Sequence, residues 1–164
     1  MGSTVWFEIQ GRPLKETAED CSKMHRLSDD LDALALQLGV PKLSDFFDYS
    51  ELSRLAEAEM EALDGIDAGF EDDPNEEFEI RDPCAECVAV RESTGEWFDP
   101  VQVLKSLAAF RQHLEQRADA LEFPTPPSDV PRYRSELLDE LRLGERLAAD
   151  AVSSGRKFRL LLVP

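Results

Sequence analysis

No apolar run in this sequence approaches the roughly 20 residues that a membrane-spanning helix requires. The longest stretches, such as Leu160 to Val163, stop after a few residues, so no bilayer is expected. The first residues have neither the basic start nor the apolar core of a secretion signal, because strand-like Val5-Trp6-Phe7-Glu8-Ile9 follows at once. A cytoplasmic protein is the expectation. Cysteine is scarce: Cys21, Cys84 and Cys87 cannot all pair within one chain. With 164 residues the chain is long enough to bury about two-thirds of its unfolded surface without disulfide staples, which fits a reducing compartment.

Positive charge is also in short supply. Lys and Arg number 18 against 35 Asp and Glu, a net charge of −17, so the surface repels phosphate backbones and anionic membranes. Nucleic acid is not an expected partner. Catalytic patterns are missing as well: there are two histidines, His25 and His113, and no nucleophile elbow, HExxH zinc helix, phosphate-binding glycine loop or dinucleotide fingerprint. A non-enzymatic protein is expected.

What is present describes a folded domain. Hydrophobic residues make up 42% of the chain, with nine Phe and two Trp to anchor packing, which places it among globular rather than disordered sequences. Residues 4 to 10 read as a first strand ending at Gly11. Pro13 is expected to open a helix running to Leu38, with Cys21, Met24, Ser28, Leu31, Leu34, Ala35 and Leu38 on its buried face and a break near residue 27, where Ser28 could restart it as a cap. Leu52, Leu55, Met60 and Leu63 mark a second helix. Residues 64–77 form an acidic loop without periodicity, and Phe78 to Ile80 and Cys87 to Arg91 read as short strands.

The strongest local signal is Trp97-Phe98-Asp99-Pro100-Val101-Gln102-Val103. Asp99 is a cap, Pro100 suits the first helical position, and Phe98 with Val103 makes a hydrophobic staple. That helix should reach about Ala118, burying Val103, Leu104, Leu107, Phe110 or Arg111, Leu114 and Leu121. Pro124, Pro126 and Pro127 make 122–131 an extended linker. A helix from about Arg132 to Ser153 follows, with Leu137, Leu138, Leu141, Leu147, Ala148, Ala151 and Val152 inward and Gly155 ending it. The strand Lys157 to Val163 does not alternate, so it is expected to be central, covered on both faces and paired with the first strand. The predicted fold is one α+β domain over 1–164, with amphipathic helices packed on a small sheet that contains both terminal strands.

Two candidate sites emerge. Residues 57 to 82 hold twelve acids and the single base Arg81, a net of −11 out of the −17. Glu57, Glu61, Asp64, Asp67, Glu71, Asp72, Asp73, Glu76 and Glu77 are therefore expected to bind a basic protein surface. Phe46 and Phe47 are candidate aromatic contacts, because two adjacent Phe do not readily both point inward; plugging the end of the sheet is their simpler role. Calcium binding is not expected of the acidic stretch, whose spacing lacks the alternation of an EF-hand loop.

The second candidate is zinc. Cys84 and Cys87 have the spacing of half a tetrahedral site, and Cys21 with His25, one helical turn apart, would complete a Cys3His set. The competing reading is that Cys21 and Cys87 are small buried apolar groups, which their positions on a helix face and in a strand favour. Redox chemistry at Cys84 is disfavoured by its acidic neighbours Asp82 and Glu86, which raise a thiol pKa.

Pro41-Lys42-Leu43-Ser44-Asp45-Phe46-Phe47, Trp97-Phe98-Asp99-Pro100 and the closing helix with Gly155-Arg156-Lys157-Phe158-Arg159-Leu160 together resemble a family of small acidic bacterial proteins of similar length without an assigned activity. The resemblance spans most of the chain, least over 64–92, and implies a bacterial, cytoplasmic setting; it transfers no functional residue. The reading that combines these features is a non-catalytic acidic binding domain, concretely an immunity or inhibitor protein covering a basic partner, with a small zinc protein as the alternative and an enzyme of unknown activity as the third.

Overall fold

The computed structural model describes residues 4–13, 17, 19–50 and 95–163. Strand β1 is Thr4–Ile9, helix α1 is Ser22–Arg26 and helix α2 is Ser28–Leu38. A 3-10 turn at Ser44–Phe46 leads into the short strand β2, Phe47–Asp48. After the return at Gly95 come helix α3, Pro100–Gln116, helix α4, Val130–Ser153, and strand β3, Phe158–Val163. The helix expected at 52–63, the acidic loop and the strands expected at 78–80 and 87–91 lie outside the described residues.

The sheet has the order β1-β3-β2, antiparallel between β1 and β3 and parallel between β2 and β3. The C-terminal strand is thus central and neighbours the N-terminal one, as its unbroken apolar run implies. Directly paired residues share a face, so the register sorts the side chains into two sets. Val5 with Leu162, Phe7 with Leu160, Ile9 with Phe158, and Phe47 beside Leu160 form the core face. Trp6 with Leu161, Glu8 with Arg159, and Asp48 beside Leu161 point the other way. Phe98 extends the β2 edge by exchanging two backbone hydrogen bonds with Phe158, at 2.8 and 3.1 Å.

Helices α3 and α4 cover the core face. They run antiparallel, as shown by ion pairs that descend along α4 while they ascend α3: Arg111 to Glu145 at 2.5 Å and Glu115 to Arg142 at 2.9 Å. Asp99 caps α3 by accepting from the Val101 N–H at 3.0 Å, and Pro100 occupies the first turn. Pro100, Val103, Ser106, Leu107, Phe110 and Leu114 form its buried face. No helix among the described residues is long and apolar enough to cross a membrane.

The elements depart from expectation in four places. Pro13 does not open a helix: the Cys21 N–H bonds to Val5 O, tying the chain to β1, and α1 starts only at Ser22. Leu27, fully buried, separates α1 from α2, and Ser28 is the first residue of α2 rather than a side-chain cap. Helix α4 starts at Val130, two residues early, because Pro131 is compatible with a first turn. Val152 is 39% exposed, while Tyr133 and Gly144 join the buried stripe instead.

Gly144 is the contact point of helix and sheet. A β-carbon there would fall 2.6 Å from Phe7 Cζ and 2.8 Å from Leu107 Cδ1, so the missing side chain is what lets α4 approach both. Gly144→Ala is expected to destabilise the protein by about 1–2 kcal/mol, since overpacking outweighs the roughly 1 kcal/mol gained in helix propensity. Asp99→Ala should cost about 1 kcal/mol through loss of the cap. Urea unfolding of the two variants checks both values.

Candidate functional site

A charged cluster lies on the sheet face opposite α3 and α4. Arg159, 1% exposed in the central strand, donates from Nε to Glu8 Oε2 at 2.7 Å and from Nη1 to Asp48 Oδ2 at 2.6 Å. One carboxylate comes from each neighbouring strand. The Trp97 ring covers the guanidinium, with the ring centroid 4.2 Å from Cζ, a cation–π arrangement. Asp48 also accepts from the Ser50 N–H and hydroxyl, both at 3.0 Å. Gly95, at φ +120°, packs so closely that a β-carbon would overlap both Arg159 Nη1 and Asp48 Oδ2.

This cluster fixes the two points where the chain leaves toward and returns from residues 51–94. Ser50 and Gly95 both rest on Asp48. The acidic residues expected to bind a partner, Glu57, Glu61, Asp64, Asp67, Glu71, Asp72, Asp73, Glu76 and Glu77, lie between them and outside the described residues. Phe46 and Phe47 are described, and neither is exposed: they are 5% and 7% accessible. Both fit because the chain changes from 3-10 turn to strand between them, so one ring meets Phe98 edge-on and the other lies on the core face with Tyr49 beside it. The exposed aromatic ring of this loop is that of Tyr49, 49% accessible.

Of the four expected zinc ligands, Cys84 and Cys87 lie outside the described residues. Cys21 is fully buried at the start of α1, and half-buried His25 follows one turn later, its N–H bonded to Cys21 O at 3.2 Å. Burial, followed by the negative charges of Glu140, Glu19 and Asp20, pushes the Cys21 thiol well up. Zinc is bound by the thiolate, so this environment opposes the ionisation that a ligand needs. Among the described residues no group of three or more His, Cys, Asp or Glu side chains is placed to hold a metal.

Cys21 borders a cleft of about 640 Å³ between α4 and the chain leading into α1. Glu140 lies in this cleft and accepts from the backbone N–H groups of Lys23 at 3.2 Å and Met24 at 2.8 Å. Burial lifts its pKa to about 7, against the lowering effect of those two hydrogen bonds and of the Lys23 charge.

No protein-family model, curated protein or solved structure matches the chain.

The buried ion cluster was open to recognition from sequence. Glu8 and Arg159 are the single charged residues within the apolar cores of the two terminal strands, with opposite sign, and antiparallel pairing of those strands places them opposite each other. Glu140 carried no such signal, because its partners are backbone N–H groups more than 100 positions away. Arg159→Leu, which strands two buried carboxylates, is expected to cost about 3–5 kcal/mol, and Glu8→Gln about 1–3 kcal/mol, measured by chemical denaturation. Metal analysis of protein purified without chelators is expected to give well under one equivalent of zinc; a full equivalent would mean that the metal draws Cys21 into its thiolate form.

Proposed function

We propose that the protein is a non-catalytic binding domain whose acid-rich stretch, residues 57–82, docks onto a basic protein surface. The observation that carries this reading is the charge distribution: twelve acids and one base in that stretch account for −11 of the net −17. The described fold balances much of its own charge, with Arg111 matched by Glu145 and Glu115, Arg142 by Glu115 and Asp139, Arg132 and Lys23 by Glu136, and Arg12 by Asp150. The acid-rich stretch holds the larger share of the excess, −11 against −6 for the rest of the chain.

A concentrated negative region speeds encounter with a cationic partner and makes the complex sensitive to salt, because charges farther apart than a Debye length of about 8 Å are screened at physiological ionic strength. The partner class that follows is a basic protein. In its concrete form the chain is a bacterial, cytoplasmic immunity or inhibitor protein that covers a basic toxin such as a nuclease.

The test is co-expression with the basic product of an adjacent reading frame, followed by calorimetry at about 50 and about 300 mM salt. Binding should weaken with salt. Replacing Asp67, Glu71, Asp72, Asp73, Glu76 and Glu77 with amides should weaken it at least about tenfold, or 1.4 kcal/mol, and flatten the salt dependence. Unchanged affinity and salt dependence in that variant would remove the reading.

A further inference from the structure

Among the described residues two buried side-chain atoms have no hydrogen-bond partner, Arg134 Nε and the Tyr133 hydroxyl. The Arg134 guanidinium is engaged elsewhere, through Nη2 on Leu114 O. The Tyr133 hydroxyl has no bond at all, although its residue is only 8% exposed, and a buried hydroxyl without a partner is costly and rare. Tyr133 stands near the start of α4. Helical side chains lean toward the N-terminus, so its ring is directed at the end of α4 where Asp129 borders a cleft of about 280 Å³ that Tyr133 also lines.

Three cations line the same cleft, Lys23 and Arg26 from α1 and Arg132 from α4, against two carboxylates. Glu136 is shared by Lys23 at 3.1 Å and Arg132 at 2.8 Å, and Asp129 accepts from the Ser128 hydroxyl at 3.2 Å. Arg26 is exposed and pairs with no carboxylate among the described residues. The cleft thus holds one positive charge in excess within a chain of net charge −17. The start of the 24-residue helix α4 adds to it, because Asp129 makes no side-chain cap hydrogen bond and the helix dipole is positive at that end. An unsatisfied hydroxyl, an unpaired guanidinium and a helix start without a side-chain cap match an oxyanion, which accepts several hydrogen bonds at once and supplies the missing negative charge. We propose that the cleft between α1 and the start of α4 binds a phosphate-type oxyanion, with Arg26 pairing its charge and the Tyr133 hydroxyl donating to it. Lys23, whose ammonium is 5.9 Å from the centre of the Tyr133 ring, flanks the same position. The ligand is free phosphate or the phosphate group of a small monoester.

Amide NMR of the full chain tests the site, with inorganic phosphate or phenyl phosphate exchanged for chloride at constant ionic strength. Either probe should shift the Arg26, Arg132 and Tyr133 amide signals saturably. Tyr133→Phe removes an atom that no protein group contacts by a hydrogen bond, so the fold should persist while binding weakens at least about tenfold; Arg26→Gln should weaken it similarly. Lys105→Gln makes the same change in net charge outside the cleft and should leave binding unchanged. Tighter binding of phenyl phosphate assigns the monoester and tighter binding of inorganic phosphate the free ion, and both uphold the site. The absence of a saturable response to either probe overturns the proposal, as does a response that Tyr133→Phe or Arg26→Gln leaves intact or that Lys105→Gln weakens equally. Should Tyr133→Phe fail to fold, the comparison of Arg26→Gln with Lys105→Gln decides.

Discussion

A fully buried guanidinium in the central strand of a three-stranded sheet is the constraint around which the rest of this structure is arranged. Arg159 cannot be left unpaired at 1% exposure, because an uncompensated buried charge costs several kcal/mol. It takes one carboxylate from each flanking strand, Glu8 from β1 and Asp48 from β2, and lies against the Trp97 ring. Strand register therefore carries a charge condition in addition to an apolar one. A slip of one residue between β1 and β3 would put Phe7 and Phe158 on opposite faces and separate Glu8 from Arg159 at the same time.

The opposite face of the sheet is governed by shape rather than charge. Phe7 meets α4 where Gly144 has no side chain, and Leu107 of α3 closes the same contact, so three elements converge on one missing β-carbon. Above this core the two long helices are tied by Arg111, Glu115, Arg142 and Glu145 across their antiparallel seam. Such half-exposed pairs contribute modestly to stability.

The distribution of charge follows from this division. Arg12, Lys23, Arg111, Arg132, Arg142 and Arg159 of the described fold pair with carboxylates of the same fold, whereas residues 57–82 carry twelve acids with one base. The flanks of the stretch that contains these acids meet at Asp48, beside the buried arginine. Glu140 adds a separate feature in the middle of α4, where its carboxylate takes the free N–H groups of Lys23 and Met24 at the start of α1.

Local patterns in the sequence determined the α+β class, the central position of the last strand beside the first, the Asp99-Pro100 start of α3, and the break at Leu27. Each is written in neighbouring residues: an apolar run without alternation, a capping pattern, a lapse in helical period. Glu8 and Arg159 were legible too, as opposite lone charges in two apolar strands. Tertiary structure alone decided the delayed start of α1, which β1 holds off through Val5 O; the burial of both Phe46 and Phe47; the exchange of Val152 for Gly144 in the buried stripe; and the capping of α1 by Glu140. These outcomes depend on atoms supplied by segments distant in the chain. Local spacing encodes which face of an element is apolar, but not which distant surface arrives to cover it, nor which carboxylate reaches the free N–H groups of a distant helix.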